Sequence, residues 1–275
     1  MYGRSLITVN NLSKERKAYL AKKKQNKILI RITQIGILMF FVILWEMLAS
    51  IGLIDSFITS KPSQIVATFI GMLSNGLLKH IGITCLETIV GFLLGTIFGT
   101  LVASALWWSP FFSKVLAPFL VVLNSLPKVA LGPIIIIWVG AGAKAIIAMA
   151  LAISIIVTIL EMLNGFIATD INKIKMAEAF GANKFQVFTK IVFPSNVPVL
   201  LNVFKVSIGL SMVGVITGEF LVSKAGLGYL IVYGGQVFKL DLVMTSVIIL
   251  GVVATLMYQC IVLLQNLINQ RGKWQ

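Results

Sequence analysis

Apolar runs with short polar breaks between them dominate this chain. They lie near Ile28 to Ser50, Ile81 to Leu106, Val115 to Val139, Ala145 to Ala168, Val197 to Val222 and Leu242 to Leu267. Each is long enough, at about 20 residues, to cross a bilayer as a helix, and their recurrence argues against single core helices. The pattern predicts an all-α, polytopic membrane protein with six transmembrane helices. The first run is long and has no small-residue cleavage site after a short apolar stretch, so it is expected to stay as an anchor.

Between the first two runs, ITSKPSQIVATFIGMLSNGLL places Ser60 and Pro62 where a short helix can open. Ile65, Phe69, Met72 and Leu73 recur near helical spacing, so this helix should lie on the membrane surface or pack on the bundle. In IVGFLLGTIFGT, Gly91, Gly95 and Gly99 are spaced by four and give one helix face a flat stripe that lets another helix come close. The third run is interrupted by Pro118, Pro127 and Pro133, with Asn124, Ser125 and Lys128 near its middle. Broken helices in hydrocarbon persist only where protein or a water-filled cavity covers their freed backbone groups. This run is therefore either a pathway-lining element or a proline kink that shapes packing.

One segment breaks the pattern. AEAFGANKFQVFTKIVFP, Ala177 to Pro194, reads as a water-facing helix, a corner and a second helix that ends at a proline. Asp170 can cap a helix from about Ile171 to Phe180, Gly181 tolerates a left-handed turn, and Asn183 can cap the next helix toward Phe193. Met176, Ala177, Phe180, Phe185, Phe188 and Ile191 make an apolar face, and Lys173, Lys175, Lys184 and Lys190 a basic one. So much apolar surface in a loop calls for a cover, and a cytoplasmic protein that accepts a helix in a groove would supply it. A DNA-reading helix-turn-helix shares the outline. Short tethers at both ends would hold it flat on the membrane, which argues against that use.

Composition agrees with a membrane chain: 58% of 275 residues are hydrophobic and 12% charged, with mean hydropathy +0.99. The net charge of +14 is a topology signal rather than a nucleic-acid footprint. Arg4, Lys14, Arg16, Lys17, Lys22, Lys23, Lys24, Lys27 and Arg31 share one side with Lys114, Lys173, Lys175, Lys184, Lys190, Arg271 and Lys273. Only Lys61, Lys79, Lys144, Lys224 and Lys239 fall on the other. The positive-inside rule then predicts a multi-pass protein of the cell membrane with both termini cytoplasmic; the basic tail could also meet anionic lipid. The expected organisation is a basic tail over 1–27, the first span and an extracytoplasmic segment over 28–80, a core over 81–268 with a cytoplasmic loop at 170–194, and a short tail over 269–275. Cys85 and Cys260 lie inside spans and His80 stands alone in the sequence, so neither a metal site nor a cofactor is implied.

From Gly181 to Pro194 the spacing Gly, nine residues, Ile-x-Phe-Pro resembles the EAA loop of ABC importer permeases, whose pattern is Glu-Ala-Ala-x3-Gly-x9-Ile-x-Leu-Pro. LPKVALGPIIIIWVGAGAKA, GEFLVSKAGLGYLI and LDLVMTSVIILGV are similar to stretches of the nitrate, sulfonate and taurine branch, which also includes permeases for thiamine precursors. The resemblance spans roughly 60 to 270. It implies an ABC type I importer permease fold and a homodimer. It also implies two copies of an ABC ATPase subunit docked on the loop and an extracytoplasmic substrate-binding protein. Carried over residue by residue, the coupling loop comprises Lys175, Met176, Ala177, Phe180, Gly181, Ala182, Phe185, Phe188, Ile191 and Pro194. Aligned by Gly181, the family's Glu-Ala-Ala falls on Lys175, Met176 and Ala177, so a base replaces the acid. Docking then rests on Gly181, the apolar face and Pro194. The chain contains no G-x-x-x-x-G-K-[ST] phosphate loop, so it is not expected to be an enzyme and ATP hydrolysis falls to the partner.

Ionisable groups within spans mark pathways or internal pairs. Glu87, Lys128 and Glu219, with Asn124 and Ser125, form the candidate translocation pathway, and Glu46, Glu161 and Lys205 are further in-span charges. Lys128 could attract an anionic cargo such as a sulfonate or taurine. Alternatively it reaches the cytoplasmic side or pairs with a buried glutamate. Glu219, just before SKAGLGYL, suits helix-end or gating structure better than a ligand role, and Gly226 and Gly228 suit a tight extracytoplasmic turn. An ion-coupled secondary carrier is the alternative class, but it would need internal repeats with paired broken helices.

Overall fold

A computed structural model describes residues 14–271, all of whose regular elements are helical. Residues 1–13 of the basic tail, Arg4 among them, and residues 272–275 of the C-terminal tail lie outside the described residues. The chain divides into two compact units, 1–64 and 65–275. In the first, α1 (Lys14–Ser50) carries the basic segment straight into the first span with no break at residue 28. Glu46 accepts hydrogen bonds from Ser63 N at 3.0 Å and Ser63 Oγ at 2.9 Å. An in-span carboxylate thus meets the first-turn N–H of α2 (Pro62–Ser74), where a negative charge is favoured.

The second unit is built around α3 (Leu77–Trp108), α6 (Ala143–Ile167), α9 (Val197–Val222) and α11 (Leu240–Arg271), joined by α4 (Pro110–Ser125), α5 (Gly132–Val139), α7 (Ile171–Ala179), α8 (Lys184–Val187) and α10 (Leu227–Gln236). Among the described residues five helices are long and apolar enough to cross a membrane, or six if the pair Pro110–Ser125 and Lys128–Val139, bent by 87°, is one broken span.

The glycine stripe brings α3 onto α6 as its spacing predicts. A Cβ on Gly91 would lie 2.5 Å from Ala150 Cβ, one on Gly99 2.6 Å from Thr158 Cγ2, and one on Gly95 would strike Ser154 Oγ. Gly214 of α9 sits over the Ala150 backbone and Gly218 over Ile146. Backbones this close exchange dispersion along their whole length, the term that drives helix association in lipid. Thr158 and Ser207 add a buried hydroxyl pair at 3.0 Å between α6 and α9. At one end Met72 packs with Leu77, Met212 and Leu227, so the helix predicted at Pro62 does pack on the bundle. Phe69 and Leu73 of its predicted face stay exposed.

The third run differs from a single kinked span. Pro118 sits inside α4 without ending it, and Pro133 falls in the first turn of α5, where a missing N–H costs nothing. The turn is made at Leu126 and Pro127: Leu126 is extended (ψ 139), the conformation that a following proline imposes. α4 opens with Ser109 as N-cap and Pro110 next.

Candidate functional site

The loop at 170–194 is a rigid corner. Asp170 accepts from Asn172 N at 2.9 Å and opens α7. The helix ends at Ala179, where Gly181 takes φ +83. Gly181 N donates to Glu178 O (2.9 Å) and Ala182 N to Ala177 O (3.0 Å), the paired bonds of a Schellman ending. Asn183 then opens α8 with a reciprocal capping box: Gln186 N donates to Asn183 Oδ1, and Asn183 N to Gln186 Oε1, both at 2.9 Å.

The second helix is not regular. After Val187 it widens into a π turn, Phe188–Val192, and closes through Phe193–Ser195, so Pro194 lies within a last short turn. The extra residue of a π turn rotates the helical face before it relative to the face after it. Val187, Phe188 and Val192 consequently face inward, packed with Leu106, Met162 and Phe166. Phe188 is ringed by Trp107 (5.0 Å), Phe166 (5.4 Å), Trp108 (5.6 Å) and Phe193 (6.1 Å).

The apolar face read from the sequence is therefore divided. Phe188 is buried in the bundle, Ala177 and Ala182 pack against the same cluster, and Ile191 and Pro194 are half-buried. Phe180 (87% exposed), Phe185 (63%) and Met176 (57%) face outward, beside exposed Lys173, Lys175, Lys184 and Lys190.

Two ties, neither legible from local spacing, fix the loop to its base. Asn196, buried, donates to Thr169 Oγ1 and Val192 O, both at 2.8 Å, and so joins the two ends of the loop. Lys184 Nζ donates to Trp108 O at 2.5 Å and lies 5.7 Å over the Trp107 ring. The tandem tryptophans at the end of an apolar run were the available signal, since such residues favour the membrane interface.

The candidate pathway residues separate into two places. At the broken span, Lys128 Nζ donates to Asn124 O (3.2 Å) and Asn124 Oδ1 (3.1 Å), and Ser125 Oγ to Val121 O (2.9 Å). Lys128 thus folds back over the end of α4, satisfying carbonyls that the break exposes, and these hydrogen bonds go to Asn124 rather than to a glutamate. Glu161 is exposed and Lys205 half-buried.

At the other end of the bundle Glu87 and Glu219 come together, with their carboxyls side by side. Glu219 is 1% exposed. It accepts from Thr84 Oγ1 at 2.6 Å and Gly228 N at 2.5 Å, which places its charge at the first turn of α10. Thr84 Oγ1 in turn accepts from Leu227 N (2.8 Å), and His80 Nδ1 from Gly226 N (3.0 Å). Gly226 has φ +117, and a Cβ there would strike the Glu219 carboxyl. His80, Thr84 and Glu219 lock the SKAGLG turn to α3. The expected helix-end role of Glu219 matches this geometry; His80 and Thr84 were missed because nothing local points across more than 130 residues.

Comparison with known proteins adds a family. Residues 91–273 match the binding-protein-dependent transport system inner membrane components. An ABC transporter permease of Haemophilus influenzae is 27% identical over 224 residues, covering 82% of this chain and 90% of that protein. A Bacillus subtilis protein named for aliphatic sulfonates transport is 25% identical over 236 residues, covering 85% and 86%. In fold the chain is similar to the inward-facing MetNI methionine ABC transporter, with TM-score 0.61, 17% identity, and coverage of 69% of this chain and 94% of that one.

Proposed function

Because the chain belongs to the family of binding-protein-dependent transport system inner membrane components, we propose that its helical pair at 170–194 docks an ATP-hydrolysing subunit. A permease of such an import system is a transport subunit, which sets aside the ion-coupled carrier and the membrane-tethered DNA reader. The observation that carries the docking assignment is the outward trio Met176, Phe180 and Phe185 on a corner otherwise capped and tied down. A contiguous apolar patch in water needs a cover, and a rigid loop loses little entropy on being covered. The positive-inside bias supports placing this loop, and both termini, in the cytoplasm.

In this reading two copies of the permease pair, two ATPase subunits grip them through the loops, and an extracytoplasmic binding protein delivers cargo. ATPase closure pushes on α7 and α8, and the packing of Phe188 among Trp107, Trp108 and Phe166 supports passing that push into α3 and α6. The cargo is a small organic solute: an anion such as a sulfonate or taurine, or a thiamine-precursor pyrimidine. Relatives named for taurine, riboflavin, a formylaminopyrimidine and nitrate show how widely cargo varies on this scaffold. Asn124, Ser125 and Lys128, with Glu87 and Glu219, remain the proposed pathway groups.

The test is purification of the tagged chain from gentle detergent, with co-purifying chains identified by mass spectrometry. A partner with a phosphate loop is expected, and its loss from a Phe180→Ala, Phe185→Ala double variant that melts like the parent. Recovery of the chain alone, under conditions that preserve comparable complexes, would overturn the docking assignment.

A further inference from the structure

A cavity of about 370 Å³ lies at the end of the bundle opposite the loop at 170–194, between α2, the start of α3, α10 and the start of α11. Leu77 and Leu242 are among its apolar walls, and its polar groups are Thr68, Asn75, His80 and Lys239, with no acidic side chain in the lining. Thr68 and Asn75 stand two turns apart on one face of α2. The exposed apolar residues of that helix, Val66, Phe69, Ile70 and Leu73, fall on the opposite flank. That flank suits lipid, so the cavity opens on the side turned away from it and is filled from water.

Each polar group keeps a donor available. Gly226 N donates to His80 Nδ1 at 3.0 Å. Gly226 O also lies 3.2 Å from that nitrogen, but the amide hydrogen claims its lone pair, which puts the proton of the neutral ring on Nε2. Lys239 is exposed and is tied into its turn through backbone atoms, N to Gly234 O and O to Leu242 N and Val243 N. Asn75 Nδ2 spends one hydrogen on Gly71 O at 2.9 Å and has a second. Helix hydroxyls elsewhere turn back on their own helix, Thr88 to Thr84 O and Thr96 to Phe92 O, whereas Thr68 Oγ1 makes no hydrogen bond. An ammonium and three neutral donors around apolar walls are the complement of a carboxylate, and Leu77 and Leu242 suit a short aliphatic stem better than a bare mineral anion.

We propose that this cavity binds a carboxylate on a short aliphatic stem, held by Lys239 Nζ and His80 Nε2–H. A free acid and an acidic side chain of a protein at this face present the same group, and the test separates the two sources. A bound carboxylate also polarises the imidazole and strengthens Nδ1 as the acceptor for Gly226 N, so the site bears on the turn that His80, Thr84 and Glu219 lock. It goes beyond the import reading and does not rest on it.

The chain has one histidine, so the full-length permease in nanodiscs with isotope-labelled histidine gives a single imidazole signal. Its nitrogen shifts are expected to show the Nε2–H tautomer. Titration at one fixed pH then compares butyrate with butyramide, and N-acetylglutamate α-amide with the matching glutamine compound. An acid is expected to move the signal with an affinity about tenfold or more above its neutral counterpart, the increment of one charge-assisted hydrogen bond. Lys239→Gln should remove that advantage, while Lys79→Gln, next to His80 in sequence but bordering a different cavity, should keep it. A response to butyrate alone assigns a free acid, to the glutamate compound alone a protein side chain, and to both the carboxylate whatever carries it. The Nδ1–H tautomer, no response to either acid, equal binding of the neutral counterparts, or an equal loss in Lys79→Gln would each overturn the site. None of these readings involves ATPase co-purification, so the two proposals fail separately.

Discussion

Gly181 offers a clean perturbation because its neighbourhood is empty. It holds φ +83, and no heavy atom lies within 4 Å of where a Cβ would stand. A side chain introduced there strains the backbone and touches nothing else. An L-residue in the left-handed region costs about 1–2 kcal/mol, while asparagine, whose short polar side chain can hydrogen-bond locally, is tolerated there better than other side chains; a β-branched residue is the worst case. Gly181→Asn should therefore behave nearly as wild type, Gly181→Ala should lose about 1 kcal/mol, and Gly181→Val about 2 kcal/mol or more. Since the corner sets the angle between the exposed Phe180 and Phe185, that strain opposes docking, and 2 kcal/mol corresponds to roughly 30-fold weaker association. The assay is the affinity of nanodisc-held permease for the ATPase subunit proposed to dock on the loop, with thermal melting measured in parallel. If Asn proved as damaging as Val, the penalty would arise from contact with the partner rather than from φ. If Val bound as wild type, the corner would not govern docking.

The two kinds of aromatic on the loop should part company. Phe188→Ala removes a buried ring and should cost about 3–5 kcal/mol, read as a lower melting temperature, whereas Phe180→Ala should leave melting unchanged and weaken ATPase association. Gly91→Val should overpack the α3–α6 contact by about 1–3 kcal/mol, and unaltered melting in detergent would contradict the close approach. Glu219→Ala strands the Thr84 hydroxyl and the Gly228 amide, costing about 1–3 kcal/mol per stranded group; faster proteolysis at 223–227 is the expected sign. Lys175→Glu, at an exposed position, should change ATPase affinity only mildly, and a severe loss would mean that the lysine has its own partner there.

Features encoded by spacing along one helix were legible from the sequence. Gly91, Gly95 and Gly99 fall on one face whatever the neighbours, and Gly181 between two cappable starts can hardly be anything but a corner. Features that depend on which helix lies opposite were hidden. Glu87 and Glu219 meet because α3 and α9 lie against each other and against α6, and their pairing leaves no trace in either local sequence. The π turn was equally invisible, so six apolar residues of the loop read as one face, although Phe188 turns inward while Phe180 and Phe185 do not. At the broken span all three prolines looked alike. Position decided their effect: Pro133 stands in a first turn, Pro118 is carried within α4, and only Pro127 comes after a residue free to extend.

The close fit on Ala150 has a mechanical consequence. With glycine backbones pressed on it from α3 and from α9, α6 has no free rotation about its axis, because turning it would drive a side chain into a peptide plane. The three helices form a single plate. Freedom of movement is left to the plate's borders: Ser109 before α4, Leu126 and Pro127, the segment Gly140 to Gly142, and the turn before Asp170. A spin label pair across α3 and α6 would then report one fixed distance through the whole transport cycle, and a pair across Leu126 would report a changing one.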